Sequence, residues 1–97
     1  MGFKEIRAVL IEALQADQFI EEPRTDAAEK NLLSTGAVTS DFVIHLLRRC
    51  AGWEYSTSRH HTRDVDCHIF TPSTGGQRWY IKAYLQDEWA VFISVHP

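Results

Sequence analysis

Long apolar runs are missing from this chain. No stretch of the 97 residues approaches the roughly 18 consecutive apolar residues of a membrane span. The opening "MGFKEIRAVL" carries no signal-cleavage pattern, so no leader is expected. Cysteine is scarce. Cys50 and Cys67 are the only two, which excludes a disulfide framework and makes reduced thiols in a cytoplasm the expectation. With three prolines, five glycines, no repeat and no low-complexity tract, nothing marks a linker. The reading is one domain over residues 1–97, a helical half at 1–52 and a sheet half at 53–97. A surplus of positive charge is also absent. The net charge of −3 argues against a protein that merely coats nucleic acid.

What is present is unevenly placed. Residues 1–47 hold four Lys/Arg against eight Asp/Glu, whereas residues 48–97 hold six against five and four of the five histidines. An anionic ligand would therefore be met by the second half.

Phe3, Ile6, Leu10, Ala13 and Leu14 recur at three- and four-residue spacing, predicting an amphipathic helix over 3–20 that ends before Pro23. Asp26 with Glu29 fits a capping box for a short helix that Gly36 closes. Thr39 or Ser40 caps a third helix with the stripe Phe42, Leu46, Leu47 and Cys50. Helix, turn and helix invite a DNA-binding reading, but "DFVIHLL" offers no run of base-reading side chains. After Trp53 the period falls to two. Strands are expected within 64–71, 77–86 and 89–96, joined by turns at Ser73–Gly76 and Asp87–Glu88, with "WEYSTS" as a fourth. The fold class is thus α+β: two to three N-terminal helices packed on one face of a three- to four-stranded antiparallel meander.

Alternation assigns Val65, Cys67, Ile69, Trp79, Ile81, Leu85, Val91, Ile93 and Val95 to the helix-facing side. It leaves His68, Phe70, Tyr80, Lys82, Tyr84, Phe92, Ser94 and His96 on the other. Hairpin register brings Tyr80 opposite or diagonal to His96 and sets His68 beside Tyr80 or Lys82. Histidines supply proton carriers near neutrality, tyrosine and lysine supply donors and charge, and aromatics stack unpaired bases. Those are the parts that metal-free RNA cleavage requires. The segment "RHHTRDVDCH" could instead suggest a metal, but its spacing fits no zinc signature, and neighbouring histidines on a strand diverge. We read it as a split element, with His68 towards the active surface, Cys67 towards the core, and Arg59 to Arg63 as a flexible basic rim. No serine stands in a nucleophile elbow, so covalent catalysis is not indicated.

The pieces "WEYS", "DCHIFTP", "GGQRWYIKAYL" and "VFISVH", in that order from Phe42 to His96, resemble the motility quorum-sensing regulator (MqsR) family of bacterial toxins. These are small RNA-cleaving proteins of the RelE-like superfamily. The likeness covers a little over half of the chain. It implies a RelE-like fold, a type II toxin acting as an mRNA interferase, a cognate antitoxin partner, a bacterial cytoplasm, no membrane and no cofactor. Tyr80 matches the tyrosine of the family's "Y-[LI]-K", and His96 stands at its terminal basic residue. The family's lysine after the aromatic pair is replaced by Tyr55, and its glutamine falls near Cys67 or His68. The expected catalytic set is His68, Tyr80 and His96 with no metal. The expected RNA contacts are Tyr55, Arg59, His60, His61, Arg63, Arg78, Lys82 and Tyr84. A non-catalytic protein-binding module, or a ribonuclease acting on another RNA such as transfer RNA, is the competing reading.

Overall fold

The computed structural model describes all of residues 1–97. Helix α1 runs Phe3–Gln15 and buries Ile6, Leu10, Ala13 and Leu14, the spacing read from the sequence. It stops five residues short of expectation. Asp17 adopts a left-handed φ of 59°, a conformation a short polar side chain tolerates, and the Gln18 N–H turns back to the Ala13 carbonyl. The chain then re-emerges as strand β1, Phe19–Glu21. Helix α2 is only Ala27–Lys30. Asp26 precedes it but does not cap it, because its carboxylate is taken by Arg24. Helix α3, Ser40–Arg49, is capped by Thr39, whose Oγ1 accepts from Phe42 N at 3.1 Å. Such a cap contributes about 1 kcal/mol.

A short 3-10 turn at Gly52–Glu54 leads into β2 (Tyr55–Arg59), followed by β3 (Asp66–Phe70), the small strands β4 (Ser73–Thr74) and β5 (Gln77–Arg78), β6 (Tyr80–Gln86) and β7 (Trp89–His96). The main sheet has the order β1-β7-β6-β3-β2. Four strands form the expected antiparallel run. The fifth was not foreseen: β1 lies parallel to β7, with Phe19 opposite Ala90. Asn31 extends this seam. It is fully buried and donates to the Phe92 and Ile93 carbonyls at 3.1 and 3.3 Å, while Leu32 N–H reaches Val95 O.

The faces differ from the alternation reading, and the turns give the reason. A two-residue turn pairs odd-numbered residues with even-numbered ones. Gly75 and Gly76, both at positive φ, make such a turn between β4 and β5, and the same register continues to His68 opposite Ala83 and Phe70 opposite Ile81. Since Ile81 and Ala83 face the helices, His68 and Phe70 do too, while Cys67 and Ile69 face away. Asp87–Glu88 likewise pairs Leu85 with Ala90 and Ala83 with Phe92. A bulge at Ile93 then shifts the register by one, so that Ile81 meets Val95 and Tyr80 meets His96.

The main core therefore joins α1, α3 and Leu33 to Phe70, Ile81, Ala83, Ala90, Phe92 and Val95. Each fully buried Leu, Ile or Phe here contributes about 1.5–3 kcal/mol. Cys67, Tyr84 and Val91, with Val65 and Ile93 against them, form a second, smaller cluster on the far face.

Candidate functional site

The far face is not open to solvent along its whole length. Residues 22–26, arriving from β1, and residues 60–63, from the β2–β3 connection, rise beside it and make the walls of a groove of about 860 Å³. Its floor is Tyr80, Lys82, Ile93, Ser94 and His96, and its walls carry Glu22, Arg24, Lys30, His60, His61 and Arg63. Six of the eleven residues expected at the site meet here: Tyr80, His96, Lys82, His60, His61 and Arg63. A second hollow, about 530 Å³, is bordered by Glu12, Asp87 and Glu88 and is the wrong sign for phosphate.

Tyr80 and His96 are cross-strand partners, with ring centroids 5.2 Å apart and planes within 24°. Burial raises the Tyr80 hydroxyl above its ordinary pKa, so it stays a hydrogen-bond donor through neutral pH. That hydroxyl has no partner within the chain. His96 Nδ1 lies 2.9 Å from the Pro97 carbonyl oxygen, which holds the ring and leaves Nε2 free. Lys82 sits one register step along, opposite Ser94, and forms no ion pair.

Arg24 and Glu22 were not singled out in the sequence, where Glu22 follows the expected helix and Arg24 lies beyond the Pro23 that closes it. Arg24 grips Asp26 with two guanidinium nitrogens and donates from the third to Ser94 Oγ at 2.8 Å and Ile93 O at 3.2 Å. The same pairing holds the Asp26 carboxyl below its usual pKa. Glu22 accepts from two donors, Tyr84 OH at 2.9 Å and His60 Nε2 at 3.1 Å, and forms a looser ion pair with the Arg63 guanidinium at 3.7 Å. His60 Nδ1 accepts from the Thr62 and Arg63 N–H groups, at 3.1 and 3.2 Å, so the ring proton belongs on Nε2, facing Glu22.

Several expectations are corrected by this geometry. His60 is 7% exposed and stitched to Glu22, so residues 59–63 are not a loose rim. Its ring stacks on exposed His61 at 5.0 Å. Tyr84 is 1% exposed beneath His60 and is closed to a ligand. Arg59 is committed to Asp64 and Asp66. Arg78 lies over Trp53 and donates to Thr71 O, away from the groove. His68 sits on the helix side, where Tyr55 OH meets its Nδ1 at 2.8 Å and the two rings stack. The sheet separates that pair from Tyr80 and His96, so His68 and Tyr55 do not belong to the groove. Burial lowers the pKa of His68 and raises that of Tyr55.

Burial also pushes the Cys50 thiol up to about 11, with Glu54 adding to the shift, and raises Cys67. Neither thiol is poised as a nucleophile. No three of the His, Cys, Asp and Glu side chains are grouped to hold a metal ion. No helix is long and apolar enough to cross a membrane. What the groove does offer is donors and positive charge around a stacked Tyr–His pair. Compared with known proteins, the chain matches no family model, no curated protein and no solved structure.

Proposed function

We propose that this chain is a metal-independent endoribonuclease, and that RNA lies in the groove between residues 22–30 and 60–63. The observation that carries the reading is the Tyr80–His96 stack with Lys82 beside it, on the floor of a channel whose walls present Lys30 and Arg63, one wall being pinned to Ser94 by Arg24. Cleavage next to a 2′-hydroxyl moves two protons. A base removes the hydroxyl proton, the 2′-oxygen attacks phosphorus, the bond to the 5′-oxygen breaks, and that oxygen takes a proton from an acid. His96, whose Nδ1–H is held by the Pro97 oxygen, carries a second proton on Nε2 as the imidazolium, and in that form it is the proton donor. Tyr80 and Lys82 bind the phosphoryl oxygens as charge builds on them. With His68 across the sheet, the base must come from elsewhere. Glu22, oriented by Tyr84 and His60 and lining the groove, is that group.

The motif order shared with MqsR-type toxins supports the same reading and extends it: a RelE-like fold, a type II toxin with mRNA as substrate, and a cognate antitoxin that silences it. The test is cleavage of a single-stranded RNA by pure protein in EDTA. We expect cleavage by the wild type and a drop of about 10²–10⁴-fold in rate for His96→Ala, with Tyr80→Phe also slowed and both variants folded. Full activity in both variants, or activity abolished by EDTA and restored by zinc, would reject the assignment. Robust growth of bacteria making abundant wild-type protein without a partner would reject the toxin role.

A further inference from the structure

Strand β2 is an edge. β3 covers one side of it and no element covers the other. Two bonds show which main-chain groups point outward. His60 N–H binds Val65 O and Thr71 N–H binds Glu54 O, both on the register that pairs β2 with β3. Main-chain direction alternates along an antiparallel strand. Glu54, Ser56, Ser58 and His60 therefore turn towards β3, and Tyr55, Thr57 and Arg59 turn outward. Of the outward groups, only the Tyr55 N–H is used, by Gly52 O. The edge carries no proline, no lysine and no bulge, and Arg59 is its one charged residue.

The sequence along it, "YSTSR", is nearly its own reverse about Thr57. We propose that β2 pairs antiparallel with β2 of a second copy of this chain, with the two-fold axis at Thr57. The register is fixed by parity, because the axis must pass a residue whose N–H and C=O point outward, and Thr57 is the central one. Thr57 then exchanges both bonds with its own copy, and each Arg59 N–H reaches a Tyr55 carbonyl. Tyr55 lies opposite Arg59, so no like charges are opposed.

In the two-fold pairing, Ser58 faces Ser56 of the second copy in a non-hydrogen-bonded pair, the kind in which side chains approach most closely. An axis perpendicular to the sheet keeps both helix layers on one side and both grooves on the other.

The experiment is sedimentation equilibrium across a range of concentrations. The wild type should approach twice the 11.1 kDa mass of one chain. Thr57→Lys, which opposes two like charges across the axis and disturbs no bond within the chain, should stay at the single mass with an unchanged melting curve. Should that variant misfold, Thr57→Cys gives an independent answer. Under mild oxidation it should form a covalent dimer, because Cα atoms facing each other in a hydrogen-bonded pair lie about 5.5 Å apart, and Ile20→Cys on the opposite edge should not. Wild type that remains at the single-chain mass overturns the proposal, as does a dimer that Thr57→Lys leaves intact and Thr57→Cys fails to trap. A monomer that instead captures an extended segment of a different protein on β2 overturns it as well.

Discussion

Replacing Tyr84 by phenylalanine removes one oxygen from a side chain that is 1% exposed, and it separates two roles that the same residue could have. As an RNA contact, Tyr84 would matter to binding and little to stability. In the structure its hydroxyl donates to Glu22 at 2.9 Å beneath the His60 ring. A hydrogen bond to a charged acceptor contributes about 1.5–3 kcal/mol. Glu22 keeps His60 and Arg63 after the change, so no charge is orphaned and the lower part of that range, about 1.5–2 kcal/mol, applies. For a domain of this size the melting point should fall by about 6–16 °C. Urea unfolding followed by tryptophan fluorescence should show a lower midpoint with an unchanged slope, and RNA affinity of the folded variant should hold. The paired control is Tyr80→Phe, whose hydroxyl bonds to nothing within the chain. Its stability should stay within about 0.5 kcal/mol of wild type. If Tyr84→Phe melts like wild type yet loses RNA, the buried Glu22 network is not what holds this residue, and the groove has been drawn one step too short.

Other outcomes follow from groups outside the groove. His68→Ala should leave RNA cleavage by the folded protein unchanged, the reverse of what the sequence alone suggested. Because burial holds the His68 pKa below its ordinary 6.5 in the folded state, the unfolded chain takes up the proton first as pH falls. Stability should drop from about pH 6.5 downward until the folded group also protonates, and His68→Phe should flatten that limb of a melting-point profile against pH. With its thiol at about 11, Cys50 carries roughly one thiolate in a thousand at pH 8, so native protein should resist iodoacetamide and urea-unfolded protein should react at both cysteines. Rapid native labelling would show that α3 and the sheet open readily. Arg24→Ala should both weaken RNA binding and loosen the segment 22–26, read as faster hydrogen exchange at Glu22 N–H, which bonds Phe92 O.

Much of this fold follows from periodicity. The spacing of Ile6, Leu10 and Leu14, the cap at Thr39 and the three alternating segments all appear where they were expected. Tyr80 opposite or diagonal to His96 was expected from the turn, but the two-residue turn alone puts them out of phase. The inserted residue at Ile93 brings them together, and no local pattern announces it. Face assignment failed on β3 and on the first half of β7, where Phe92 and not Val91 faces the helices, because it took the more apolar side for the core side. Cys67 and Val65 are apolar for another reason: the smaller cluster with Tyr84 and Val91 needs a dry floor. The strand Phe19–Glu21 was hidden for a different cause, since three residues are too few to show a period and helical spacing runs straight into them. Glu22 and Arg24 were missed with it, because their meaning depends on contacts about seventy positions away. His60 gave the opposite error. Its buried role is fixed by Glu22, a residue nothing in "RHHTRDVDCH" points to.

The parallel seam between β1 and β7 also sets an order of events in folding. The β6–β7 hairpin closes over a two-residue turn, whereas β1 reaches Ala90 across some seventy residues. Loop entropy makes the second closure costlier by about 2–3 kcal/mol, so the meander can form first while the β1 segment docks late. One wall of the groove, residues 22–30, is carried by that late segment. A chain whose sheet is largely built therefore still has no channel. Any excursion that lifts β1 from β7 dissolves the channel again while leaving the main core in place. Local opening at this seam, far cheaper than global unfolding, is then the step that governs how long the groove persists.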